Sequence, residues 1–146
     1  MKKHKDLVDL LRANGMRITA GRKLLLQYII DNRTRQISLK EIHRYLSDRL
    51  AGVVPSSVYR NLDTMKKLDI LQELTLPKLG KCFQYVFDKK VRHFFICKSC
   101  GKSHKGNDEL FSRIECALKD LHGFSKANLS AVFYGYCSKC GKPTTA

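Results

Sequence analysis

Two Cys-x-x-Cys-Gly units, Cys97-Lys98-Ser99-Cys100-Gly101 and Cys137-Ser138-Lys139-Cys140-Gly141, with 36 residues between Cys100 and Cys137, constrain the fold of this chain more than any other feature. Each is a knuckle: the turn directs two thiolates to one side, and the glycine lets backbone N–H groups approach the sulfurs. Four thiolates in a tetrahedron suit Zn²⁺, with Zn–S near ~2.3 Å and no coordination position left for water. Such a closed site holds a fold together and hydrolyses nothing. Here it ties a strand before an intervening helix to a strand after it, in a segment of roughly 60 residues whose apolar core alone is marginal. Disulfides and a redox dithiol are the alternatives. Adjacent paired spacing suits a metal better than disulfides in a reducing compartment, and a redox role explains one Cys-x-x-Cys but not two. Cys82 and Cys116 stand outside the set; Cys116, in a helical pattern, is expected to be a small buried hydrophobe.

The first half reads as helices followed by a hairpin. Leu7 to Arg12 starts a helix that Gly15 can end, and Thr19 is a candidate N-cap for a second carrying Leu25 and Ile29 at helical spacing. Ser38-Leu39-Lys40-Glu41 has capping-box spacing and opens a third helix through Ile42 and Leu46. Pro55 suits the first turn of a fourth, with Val58, Leu62 and Met65 on one face. Ile70 to Leu76 and Cys82 to Phe87 form a hairpin, in which Phe83, Tyr85 and Phe87 alternate as in a half-buried strand. Helices followed by a two-stranded ribbon describe a winged helix-turn-helix over residues 1–87.

The second half, residues 91–146, follows a linker at Phe87 to Lys90. Val91 to Ile96 reads as a strand, Asn107 as the cap of a helix with Leu110, Ile114, Leu118 and Leu121 as its stripe, and Phe124 to Tyr136 as a second strand region. The fold class is therefore α/β in the α+β sense: a winged helix plus a small α/β domain with a four-cysteine zinc site.

The 146 residues carry a formal net charge of +15. The surplus is shared, eight up to Asp88 and seven beyond it, so no separate basic tail exists. A charge of this size favours a polyanionic partner such as nucleic acid. No apolar run approaches the ~20 residues of a bilayer span, and the basic start alternates with Asp6 and Asp9 unlike a signal peptide, so a soluble, cytoplasmic protein is expected. An enzyme reading has little support. The zinc-deaminase pattern, Gly-x-Ser-x-Gly, His-Glu-x-x-His and a phosphate-cradling glycine loop are all missing.

Gly15-Met16-Arg17-Ile18-Thr19 with Arg22, Ser38-Leu39-Lys40-Glu41-Ile42, Ser57-Val58-Tyr59-Arg60-Asn61-Leu62 and both knuckles, with Gly123-Phe124 and Gly135-Tyr136-Cys137, occur in one order along nearly the whole chain. In this the chain resembles the ferric uptake regulator family of bacterial transcription factors. The resemblance implies an N-terminal winged helix, a C-terminal dimerisation domain, a homodimer, and binding to palindrome-like double-stranded DNA operators, with no small-molecule substrate. A groove-reading helix needs base readers near its N-terminus, and Ser57, Tyr59, Arg60 and Asn61 offer a hydroxyl, a ring for a thymine methyl, a bidentate guanidinium and an amide. The family's DNA-contacting Tyr-Arg pair falls on Tyr59 and Arg60, and Arg17 and Arg22 fall beside the backbone or minor groove. Lys2, Lys3, Lys66, Lys67, Lys78 and Lys81 then supply general phosphate attraction. The competing class is a zinc-knuckle adaptor, for nucleic acid or protein, without operator specificity.

The family's regulatory metal ligands are largely replaced. Gln36, Gln84, Arg92, Phe94, Lys105 and Leu129 stand where His or acidic residues are usual, and His93 occupies a position more often acidic. Amides, aliphatics and cations do not form a nitrogen and oxygen shell, so one structural zinc per chain is expected and the regulatory site is absent or rebuilt. Three arrangements follow: fixed charge from Arg92 and Lys105 in place of the ion, a different metal site drawing on Cys82, His93 and His104, or knuckle thiolates that lose zinc on oxidation.

Overall fold

A computed structural model describes residues 2–87, 93–124 and 131–141. It divides into two compact units, Met1–Leu74 with Lys81–Phe87, and Thr75–Gly80 with Asp88–Ala146. The linker expected at 87–90, Arg92 and Leu129 lie outside the described residues, apart from Phe87.

The first unit is a helical core with a small sheet. Helices α1 (Lys2–Ala13), α2 (Ala20–Asp31), α3 (Leu39–Ser47) and α4 (Pro55–Lys67) precede strands β2 (Leu71–Leu76) and β3 (Gly80–Tyr85). The expected caps form. Thr19 accepts from the Arg22 N–H, and Ser38 and Glu41 complete a reciprocal capping box. Pro55 sits in the first turn of α4, where its missing N–H costs nothing. Helix α1 starts at Lys2, one and a half turns before the apolar periodicity announces it, because its first turn is polar all round. Leu7 and Leu11, Leu25 and Ile29, Ile42 and Leu46, and Val58, Leu62 and Met65 pack into one cluster. Burying each of the larger chains contributes about 1.5–3 kcal/mol before the entropy of ordering is set against it.

The hairpin gains a third strand that periodicity does not show. Strand β1 (Ile37–Ser38) pairs antiparallel with β3, Ile37 opposite Phe83 and Ser38 opposite Cys82, giving the order β1-β3-β2. The half-buried alternation expected for β3 is therefore corrected. As the central strand it is buried on both faces, from Cys82 to Val86.

The second unit is a three-stranded sheet of order β5-β4-β6 with one helix. Strand β4 (His93–Cys97) pairs antiparallel with the short β5 (Ser103–Lys105), too short to show in the sequence pattern, and parallel with β6 (Ala131–Gly135). Helix α5 (Asp108–His122) lies between β5 and β6 in the chain, capped by Asn107 and stopped by Gly123 in the left-handed region at φ +62°.

Two expectations for α5 are corrected. Its buried side chain is Phe111, whereas Leu110 and Leu121 of the expected stripe are exposed, and so is Cys116. The reason is the sheet face. Phe95 and Phe133, opposite one another in the β4/β6 register, stack with ring centroids 5.4 Å apart, and Phe111 closes on both at 6.2 and 5.8 Å. The His93 ring stacks on Phe111 at 3.6 Å. Gly106 permits this approach, since a Cβ there would lie 2.4 Å from Phe111 Cε2 and 2.9 Å from His93 Cβ. Phe111 is the one fully buried side chain of the helix, Ile114 and Leu118 are half-buried, and Leu110 and Leu121 stay exposed among the described residues.

Candidate metal centre and nucleic-acid interface

The Sγ atoms of Cys97, Cys100, Cys137 and Cys140 all lie within 4.8 Å of one another. Cys100 and Cys137, from different knuckles, are 3.9 Å apart, close to the ~3.8 Å edge of a tetrahedron with ~2.3 Å metal–sulfur bonds. None of the six cysteines is in a disulfide. Backbone bonds set the geometry. Gly101 N–H donates to Cys97 O (2.9 Å), and Cys140 and Gly141 N–H groups both donate to Cys137 O (3.0 and 2.6 Å). Gly101 adopts φ +72°, a turn conformation that L side chains rarely take. The knuckles are pinned to each other by Lys98 N–H on Gly135 O (2.7 Å) and by Cys137 N–H on Cys97 Sγ (3.4 Å).

These N–H groups act on the thiols. Donation from the backbone at Cys100 and Cys137 brings Cys97 down to about 6, and the Cys140 N–H lowers Cys137. Cys140 rises to about 11 because it shares hydrogen bonds with Cys137 and Cys100. The backbone donors thus favour the thiolate form of Cys97 and Cys137, the form that binds a cation. The donor set is all sulfur and closed, which fits zinc. Among the described residues it is the one group of three or more His, Cys, Asp or Glu whose donor atoms converge.

Other metal candidates are placed differently. Cys82 is fully buried in the first unit, where burial and then the Glu41 charge push its thiol up. His93 and His104 belong to the second unit. His93 is buried with its Nδ1 lacking a partner, and burial lowers it, whereas His104 is exposed on β5 opposite Phe95.

In the first unit, α4 buries Val58, Leu62 and Met65 and exposes Ser57 and Arg60. Tyr59 and Asn61, half-buried, are both engaged. The Lys81 ammonium donates to the Tyr59 hydroxyl and lies 4.8 Å from its ring centroid. Glu73 on β2 holds Lys81 (3.6 Å) and Lys66 (2.7 Å), and Asp63 holds Lys66 (3.6 Å) and Lys67 (3.0 Å). Partial burial alone would raise the Glu73 carboxyl, but bonds and charges from Lys66 and Lys81 keep it below its ordinary value. Of the lysines expected as free phosphate contacts, three are thus committed within the protein. Asn61 Oδ1 accepts from Arg22 Nε (2.9 Å), and Arg22 Nη1 donates to Arg17 O (2.5 Å). Glu73 was not singled out from the sequence, because nothing local marks a carboxylate that acts across two elements.

A winged helix together with a small α/β unit carrying a four-thiol cluster is an architecture of DNA-binding regulators. The ferric uptake regulator family model matches residues 13–134. The peroxide-responsive repressor PerR of Staphylococcus aureus is 28% identical over 130 residues, 89% of this chain and 86% of its own. Among solved structures, the ferric uptake regulator Fur of Helicobacter pylori, described with three functional metal-binding sites, superposes with a TM-score of 0.69 at 19% identity, covering 97% of this chain and 93% of that one. The manganese-bound ferric uptake regulator of Pseudomonas aeruginosa gives 0.69 at 20% identity, over 88% and 95%. The structural likenesses bear on the fold. The chain belongs to the ferric uptake regulator family. Members of that family are dimeric, DNA-binding transcription regulators and not enzymes. No helix among the described residues is long and apolar enough to cross a membrane.

Proposed function

We propose that this protein is a sequence-specific DNA-binding repressor, with residues 1–87 as its reading domain and residues 91–146 as a zinc-stabilised homodimerisation domain. The observation that carries the reading is the outward face of α4. Its apolar side is fully used in the core, while the Arg60 guanidinium, given no ion-pair or hydrogen-bond partner among the described residues, stands exposed beside Ser57 near the helix start. That is the geometry a major-groove reader needs, since guanidinium donors pair bidentately with guanine O6 and N7. Tyr59 is steadied by Lys81 for contact with a base or methyl group. Homodimerisation is supported by Leu110 and Leu121 exposed on α5, Tyr134 and Tyr136 exposed at β6 and beyond it, and sheet edges at β5 and β6 that no strand among the described residues covers. The ion at Cys97, Cys100, Cys137 and Cys140 is zinc, and it joins the two knuckles without an open coordination position. The family's regulatory site is absent or rebuilt in this chain. In support, Gln36 and Gln84 bond to each other instead of offering ligands.

The test is selection from a pool of randomised duplexes with the purified zinc-loaded protein. A single enriched two-fold motif is expected, with Arg60→Ala costing about 1–3 kcal/mol on that motif and little on other sequences. An equal loss on all sequences would favour the knuckle adaptor.

A further inference from the structure

We infer that Asn61 is a positioning residue which presents Arg22 to the phosphate backbone, and that it does not read a base; this rests on the DNA-binding reading above. Bidentate recognition of adenine needs both the carbonyl oxygen and the amino group of an asparagine. Here Oδ1 is committed to Arg22 Nε at 2.9 Å, so that pairing is closed. Arg22 is held from a second direction, its Nη1 donating to the Arg17 carbonyl at 2.5 Å, while its own N–H bonds the Thr19 cap at 3.3 Å. Two bonds in different directions fix the guanidinium plane and leave Nη2 without a partner among the described residues.

The location adds a second argument. Arg22 lies in the first turn of α2, which contains no acidic residue, so a cation sits at the positive end of the helix dipole. That placement works against the helix itself and is repaid by an anion. A phosphate oxygen facing Nη2 and the first turn of α2 supplies it, with α4 and α2 linked through Asn61 so that groove reading and backbone contact share one register.

The experiment measures binding of wild type, Asn61→Ala, Arg22→Ala and the double variant to the enriched duplex and to a scrambled duplex across a salt series. Melting and zinc content establish that each variant is folded. Each single variant is expected to lose about tenfold on both duplexes, with the salt slope reduced by about one, and the double variant to lose no more than either. The enriched motif stays the same. Should Asn61→Ala fail to fold, Arg22→Gln, which retains an amide toward Asn61 without the charge, is expected to show the same tenfold loss and slope. A changed base preference at one position in Asn61→Ala, additive losses in the double variant, or unaltered affinity in Arg22→Gln would overturn the assignment. Failure of wild type to enrich any motif instead removes the DNA-reading proposal on which it rests.

Discussion

Gln36 and Gln84, 48 positions apart, form a part-buried amide pair in which Gln36 Nε2 donates to Gln84 Oε1 at 2.9 Å. Gln84 Nε2 in turn donates to the Arg33 carbonyl at 3.2 Å, so hydrogen bonds tie the segment between α2 and β1 to the central strand β3. Gln84 is 2% exposed, and an unpartnered amide there would carry its full desolvation cost. Gln84→Ala is expected to cost about 1–3 kcal/mol in denaturant unfolding, and Gln36→Ala less. Single and double losses that simply add would show that the pair is not coupled.

The four-thiol centre predicts both stoichiometry and thiol reactivity. Native mass spectrometry is expected to find one zinc per chain, lost in Cys100→Ser or Cys137→Ser. In the zinc-loaded protein a maleimide should modify Cys116 quickly, since it is exposed, and Cys82 only on unfolding, since it is fully buried. Two zinc ions per chain would point back to a rebuilt regulatory site.

Gly106 packs against both His93 and Phe111 with no room for a methyl group. Gly106→Ala is expected to destabilise the second unit by about 1–3 kcal/mol, through displacement of α5 from the sheet. Near-ultraviolet circular dichroism during thermal unfolding reads this directly. A melting point equal to wild type would mean that the aromatic stack relaxes at no cost.

His93 gives a pH dependence of defined sign. Burial lowers its folded pKa, with Glu115 and Asp108 acting weakly the other way, so the unfolded chain binds more protons as pH falls through the ordinary value of 6.5. Stability should therefore decrease from pH 7 toward the folded-state pKa and level off below it. His93→Phe keeps the stacking on Phe111 and removes the titration, so its melting temperature should fall less over the same range. Parallel curves for the two proteins would exclude the contribution.

Glu73 ties Lys81 and Lys66 together across α4 and the hairpin. Glu73→Gln removes the carboxylate shared by the two lysines, leaving Lys66 with Asp63 and Lys81 with Tyr59, and should raise affinity for duplexes of any sequence at low salt, while selectivity for the enriched motif declines as Lys81 loses the group that orients it toward Tyr59. The ion pairs themselves are half-exposed, so the stability change should stay within about 1 kcal/mol. Titrations on matched and scrambled duplexes measure both effects, and unchanged selectivity would release Tyr59 from dependence on Glu73.

Much of the molecule was legible from local chemistry. Knuckle spacing, the Thr19 and Asn107 caps, the Ser38–Glu41 box and Pro55 act within a few residues, so their geometry follows from neighbours along the chain. The apolar faces of α2 and α4 were equally readable, because helical periodicity alone chooses which side is buried. Strands β1 and β5 were not, being two and three residues long and existing only because β3 and β4 offer edges to pair with.

The roles of individual side chains divide in the same way. That four sulfurs could meet one ion was written in the spacing, and that a basic chain with a Tyr-Arg pair on a helix suits DNA was written in composition and motif. That Asn61 spends its oxygen on Arg22, that Gln36 faces Gln84, and that Phe111 rather than the leucine stripe meets the sheet were decided by distant segments coming together. A hydrogen bond or a ring stack needs two partners within a few ångströms, and only the folded backbone determines which residues far apart in sequence become neighbours.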